Sequence, residues 1–190
     1  KFVKDLVAIK IRYSAFAKAN PLFKDVDDFI NLAENLASLH SAKNVEKTAQ
    51  NLADLANSEL KTSGKGYAFE VTYASRLSKR NRVKALGEAI DSDGIPLGNM
   101  DVRYQTPEGT FVGVETKSKD WNMNFIEEEK RKIIEQLKKL QKLKELPKDK
   151  TLHLDIVRFA SKNKLPKEIM DAIKEFADEI DDAGTISIIT

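Results

Sequence analysis

The spacing of apolar residues changes period along the chain. Over residues 1 to 60 it is helical. Phe2 to Ala19 makes one segment, stopped at Asn20-Pro21 because the residue before a proline is pushed out of helical geometry. A second segment starts near Asp25 and carries Val26, Phe29, Ile30, Ala33, Leu36 and Ala37 as its stripe. Asn44 is placed to cap a third, with Val45, Ala49, Leu52, Ala53, Leu55 and Ala56 as its apolar positions. His40 falls in the link between the second and third. Three such helices predict a bundle, or a sleeve packed on the later domain, and their Leu and Ala stripe reads as core.

Ser63-Gly64-Lys65-Gly66 interrupts this pattern, and a further helix is predicted from about Tyr67 to Lys79. Its inward face holds Tyr73, Ala74 and Leu77, and counting back by three, four and seven places puts Glu70 on the same face. A carboxylate there is costly unless it is paired or sits at a cleft edge. Val83 to Ile90 reads as a short strand interrupted by Gly87. Asp91-Ser92-Asp93-Gly94 resembles the start of a calcium loop, but Val102 stands where the twelfth-position Glu belongs, so it reads as a turn. Ile95 to Gly98 is expected to be irregular.

The period then drops to two. Gly98 to Tyr104 and Thr110 to Lys117 alternate apolar and polar residues around Thr106-Pro107-Glu108-Gly109, the composition of a hairpin turn. A loop of Pro107, Glu108 and Gly109 pairs Thr106 with Thr110, Tyr104 with Val112, Val102 with Val114, and Asp101 with Glu115. Lys117 lies on the Glu115 face, about 6 to 7 Å further along. Opposed carboxylates on neighbouring strands need a compensating cation or proton. A divalent ion supplies one, and a lysine beside it can steady a water or a phosphate.

Beyond the hairpin, the link Ser118-Lys119-Asp120-Trp121 leads into a long helix from about Asn124 to Glu145. Ile126, Ile133, Leu137 and Leu140 form its buried stripe, and Gln136 lies next to it. Leu152 to Phe159 reads as a strand with a structural His153, Lys167 to Ile180 as a helix after Pro166, and Gly184 to Ile189 as a closing strand.

Composition narrows the chemistry. There is no cysteine, which excludes disulfides and thiolate catalysis, and having only two histidines argues against a multi-histidine zinc site. The net charge of +2 does not point to nucleic acid, so any basic surface comes from local clusters. Lys79-Arg80-Asn81-Arg82 is such a cluster, read first as a solvated helix end and second as a phosphate contact, and Lys119 is a further contact candidate. Trp121 offers either a stacking surface for a base or a partly buried anchor. No apolar run approaches the roughly 18 residues that a membrane helix needs. A first residue of Lys, with no signal-peptide pattern, reads as a piece of a larger chain.

The order helix with Glu70, strand, strand with Asp101, strand with Glu115-Thr116-Lys117, long helix, strand resembles the core of the PD-(D/E)xK nuclease superfamily. The likeness covers roughly residues 63 to 160, and no Pro precedes Asp101. It implies a mixed α/β fold: a restriction-endonuclease-like αβββαβ core over 61–190, with a helical N-terminal region over 1–60. It also implies that Asp101 and Glu115 bind the metal, that Lys117 assists the attacking water or the phosphate, and that Glu70 and Gln136 match acidic and polar helix residues some members add. The cofactor would be Mg²⁺, with Mn²⁺ or Zn²⁺ as alternatives, and the substrate DNA or tRNA. The architecture is also similar to the C-terminal toxin regions of bacterial contact-dependent growth-inhibition proteins. That implies delivery from a larger secreted protein, action in a target cell's cytoplasm and a cognate immunity protein as partner. Two other readings stay open: a non-catalytic module binding nucleic acid or protein on the same fold, and a helical structural protein whose acidic hairpin face is merely solvated.

Overall fold

A computed structural model describes residues 1–19, 29–55, 62–92, 95–180 and 186–189. The chain is a mixed α/β protein. Helices α1 (Phe2–Ala19), α2 (Leu32–Ser38), α3 (Val45–Leu55) and α4 (Thr62–Ser78) precede strands β1 (Arg82–Ser92), β2 (Ile95–Gln105) and β3 (Phe111–Lys117). A 3-10 turn at Met123–Phe125 opens α5 (Ile126–Lys142), and β4 (Ile156–Ser161), α6 (Lys167–Glu179) and β5 (Ile186–Ile189) complete the chain. The strands form one sheet in sequence order, antiparallel through β1, β2 and β3, then parallel through β4 and β5. Parallel neighbours need crossover connections, and α5 and α6 provide them.

Two cores sandwich the sheet. On one face Ile9, Tyr13, Leu32, Leu36 and Leu52 from the N-terminal helices meet Val71 and Ala74 of α4 and Val102, Tyr104, Val112 and Val114 of the sheet. The leading helices therefore bury their stripes in the same core as the hairpin. On the other face Ile133, Leu137 and Leu140 of α5 and Ile169, Ile173 and Phe176 of α6 cover Met100, Val157 and Phe159. Among the described residues no helix is long and apolar enough to cross a membrane.

Several predicted boundaries are corrected. Gly64 and Gly66 do not break the helix: α4 begins at Thr62 and runs through both, since packing against the sheet outweighs the roughly 1 kcal/mol propensity cost of each glycine. Ile95 to Gly98 is strand, not irregular chain, because it pairs with Ile90, Asp91 and Ser92 across a register shift that absorbs Pro96. Leu152 to Asp155 lies outside β4, which starts at Ile156. His153 is buried in that approach, its ring bonded to Leu146 O at 2.7 Å and Asp155 Oδ1 at 3.2 Å, a structural role. The start of the second helix near Asp25, and Asp93-Gly94 of the turn, lie outside the described residues.

Candidate active site

The hairpin turn sets the site. Thr106 N donates to Thr110 O at 2.9 Å and Gly109 N to Thr106 O at 3.0 Å, with Gly109 at φ +94°. Outward from the turn the pairs are Gln105 with Phe111, Tyr104 with Val112 and Val102 with Val114, the register expected from the turn. Because alternation continues on β3, Glu115 and Lys117 share a face, and the Lys117 ammonium pairs with Glu115 Oε1.

The ladder ends one residue short of Asp101. Met100 packs in the core under α5 and α6, whereas Val102 packs in the core under the N-terminal helices. Residues two apart on a regular strand share a face, so alternation breaks at Asp101. β1 breaks beside it: Leu86 belongs to the first core and Ile90 to the second, and Gly87 between them takes φ +50°. The flanking pairs, Leu86 with Val102 and Glu88 with Met100, stay in step. The two strands therefore kink together, and Asp101 turns towards the end of β3. Its Oδ2 accepts from Thr116 N at 2.7 Å and from Thr116 Oγ1 at 2.9 Å.

Glu70 arrives from α4, on the inward face that its spacing predicts, and is only 5% exposed. Its Oε1 is buried without a hydrogen-bond partner, and so is Oε2 of Glu115. Burial followed by the charge of Asp101 raises the pKa of Glu70 well above the ordinary range, although the Gly87 backbone favours its charged form. Burial also raises Asp101, against the pull of Lys117 and Thr116. Glu115 is pushed up to about 7 by burial and by Asp101. Burial works against the charge on Lys117, yet Glu115 and Asp101 outweigh it, and its pKa stays above the usual lysine value. Three acids thus lie together with more negative charge than one lysine offsets.

They sit at one side of an open cleft of about 590 Å³. Glu70, Asp101, Thr116 and Lys117 line it directly, with Glu115 behind Lys117. Gln136 also reaches the group. Its Nε2 donates to Asn99 O at 3.0 Å, and it lies beside Glu115, where it favours the carboxylate's charge. Lys119 lines the same cleft and pairs with Glu129. Its ammonium also lies 5.1 Å from the Trp121 ring centre, while Trp121 packs on the core under α5 and lines a separate hollow with Met123 and Met170. The structure does not bring Lys79, Arg80 and Arg82 to the acids. They line a different hollow with Ser38 and Ser41, and Arg82 pairs with Gln105, about 13 Å along the hairpin from Asp101.

Two contributions are not read from the sequence. Thr116 passes there for a spacer between Glu115 and Lys117, although a hydroxyl at that position is the one visible hint of its role. The leading helices, which read as core alone, provide one wall of the cleft through Lys43, Asn44, Lys47, Thr48 and Asn51. Lys43 precedes α3 and Lys47 lies within it, so no helical spacing in the sequence links the two. Asn44, expected as a helix cap, holds φ +66° and donates from Nδ2 to Gly87 O at 3.3 Å, tying α3 to the kink.

Among the described residues no three His, Cys, Asp or Glu side chains already frame a metal ion. The donors nonetheless fit a hard divalent cation. They are all carboxylate oxygens, two of them buried and unbonded, and such ions are held by one or two carboxylates completed by water and substrate phosphate. An all-oxygen set suits Mg²⁺ or Mn²⁺ better than Zn²⁺. No family model matches this sequence, and no curated protein matches it either.

Proposed function

We propose that this chain is a metal-dependent phosphodiester hydrolase acting on nucleic acid. The observation that carries the reading is the meeting of Glu70, Asp101 and Glu115 beside Lys117, with one buried unbonded oxygen on each glutamate and with Glu70, Asp101 and Lys117 lining an open cleft. Folding three acids into one buried group costs stability, and such a cost is characteristic of a site kept for chemistry.

Asp101 and Glu115 would hold the ion, and Glu70 would be a third carboxylate near them. When bound, Mg²⁺ or Mn²⁺ lowers the pKa of a coordinated water and offsets charge on the phosphate. Thr116 holds Asp101 with two hydrogen bonds, so its free oxygen is aimed before any ion arrives. Without a bound ion, Glu115 and Asp101 raise the pKa of Lys117 above the usual lysine value, against the effect of its burial. Its role is to steady the attacking water or a phosphate oxygen beside Glu115. Gln136 fixes the orientation of Glu115 from the α5 side.

The test incubates purified protein with plasmid DNA and with total tRNA, in Mg²⁺, Mn²⁺ or EDTA, beside Asp101→Ala. Divalent-dependent cleavage of either substrate, lost in the variant and in EDTA, supports the reading. Salt-sensitive binding with no product under any ion supports a non-catalytic binding module instead.

A further inference from the structure

Resting on the hydrolase reading of the same acids, we infer that the cleft takes a single strand of nucleic acid, gripped through its phosphates by Lys47 and Lys43 of the N-terminal helical wall.

The first ground is size. The cleft has a volume of about 590 Å³. The major groove of a duplex alone is about 12 Å wide, so a whole duplex does not enter, whereas one sugar-phosphate strand with its base does. Glu70 and Asp101 line the cleft itself, and Glu70 is nearly closed to solvent. A scissile phosphate therefore has to be carried inside to meet them.

The second ground is the distribution of charge. Lys43 and Lys47 stand on the wall formed by the residues around the start of α3, and Lys117 and Lys119 on the wall formed by the end of β3. Cations that two separate segments contribute to one cleft suit a backbone passing through it. Among the described residues no acid pairs with Lys47, which is exposed at the cleft. Lys43 shares its charge with the buried Glu88 at 2.9 Å, so Lys47 is the cation with most to gain from a phosphate.

The third ground is the surface between the walls. Tyr67, half-buried on α4, is an aromatic residue of the lining, and Asn51 and Asn99 add amide groups without charge. An unpaired base exposes both a face to stack and edges to bond, and a paired base inside a duplex does not.

The experiment measures binding of fluorescent oligonucleotides to Asp101→Asn in EDTA, so that binding is read without hydrolysis. The probes are a single strand, its matched duplex and a hairpin with an eight-base loop. The single strand and the hairpin loop are expected to bind at least tenfold more tightly than the duplex. Lys47→Glu, an exposed substitution outside both cores, is expected to weaken single-strand binding about tenfold. Lys47→Ala is expected to reduce the salt slope by about 0.7, the share of one phosphate contact on a single strand. Tyr67→Ala should weaken the single strand and leave the residual duplex affinity unchanged. Duplex affinity equal to or above that of the single strand overturns the inference, as does a Lys47→Glu chain with unaltered affinity and thermal stability. The two readings separate cleanly. A chain that binds one strand through Lys47 but never hydrolyses it loses the hydrolase reading alone, and one that binds and cuts duplex as readily as single strand loses this inference alone.

Discussion

Asp101 is held by Thr116, through the amide at 2.7 Å and the hydroxyl at 2.9 Å, both to the same oxygen. Two donors on one carboxylate oxygen leave the other free, which is how a metal ligand is aimed in advance. Thr116→Val removes only the hydroxyl bond and keeps the β-branched shape on the strand. The expected result is a loss of about tenfold in divalent-dependent cleavage, from one charge-assisted hydrogen bond of roughly 1.5 kcal/mol. Thr116→Ser should restore most of it. Equal activity in the Val variant and the native chain would show that the hydroxyl does not position Asp101.

Asp101→Ala, Glu115→Ala and Lys117→Ala are each expected to lower cleavage by about a thousandfold or more, since they act as one unit. Their stabilities should diverge. Removing Glu115 relieves a buried carboxylate repelled by Asp101, whereas removing Lys117 leaves that repulsion without its one partner. Thermal unfolding in EDTA at pH 8 should therefore give a higher Tm for Glu115→Gln than for Lys117→Met. The reverse order would mean that the acids are not in electrostatic conflict.

The pH dependence has a definite sign. Glu115 titrates near 7 in the fold and at its ordinary 4.5 when unfolded, so the folded chain holds the extra proton between those values. Stability from this group is fully present below pH 4.5 and is lost as pH rises through 7. Glu70 and Asp101 are raised too and act in the same direction. In EDTA, Tm should fall from about pH 5 to about pH 8, and Mg²⁺ should raise it more at the higher pH, because the ion takes the place of the protons. A flat or rising Tm in EDTA over that range would count against the acid cluster.

The paired kink is tested at Gly87. Its φ of +50° is a left-handed conformation, and a Cβ placed there meets only Glu70 Oε1 at 3.9 Å. Gly87→Ala therefore costs backbone strain and little crowding, about 1 to 2 kcal/mol, or a Tm lower by roughly 2 to 8 °C. Gly113→Ala fails for the opposite reason: its backbone is ordinary, but the new Cβ would lie 2.5 Å from Leu154 Cδ1 and 2.6 Å from Met100 Sδ. Overpacking of that kind costs about 1 to 3 kcal/mol. Gly87→Asn should recover part of the loss at 87, since Asn tolerates the left-handed region, and Gly113→Asn should be worse than Ala.

Beneath the site, Glu88 is almost fully buried against Arg103, with Nε to Oε2 at 2.6 Å, and Arg103 also donates to Thr151 O at 2.6 Å. Arg103→Met strands a carboxylate whose remaining partner is the exposed Lys43. The expected loss is about 3 to 5 kcal/mol by denaturant unfolding. The double variant Glu88→Met with Arg103→Met should be markedly less damaged than Arg103→Met alone.

What the sequence by itself determined is local. Period-two alternation puts Glu115 and Lys117 on one face whatever surrounds them, the Pro-Glu-Gly turn sets the register from Gln105 to Val102, and helical spacing turns Glu70 inward with Tyr73 and Ala74. What only the tertiary structure decided depends on two segments meeting. The kink at Gly87 and Asp101 arises because adjoining strands change face together, so no count along either strand alone predicts that Asp101 turns to Thr116. The strand at Ile95 to Gly98 forms because β1 offers partners, which local propensity at Pro96 and Gly98 argues against. Lys43 and Lys47 become a wall of the cleft because the leading helices bury their apolar stripes on the same sheet face as Val102 and Val114. Hydrophobic burial is non-directional, and it brought those lysines to the acids without leaving a periodic signature in the chain.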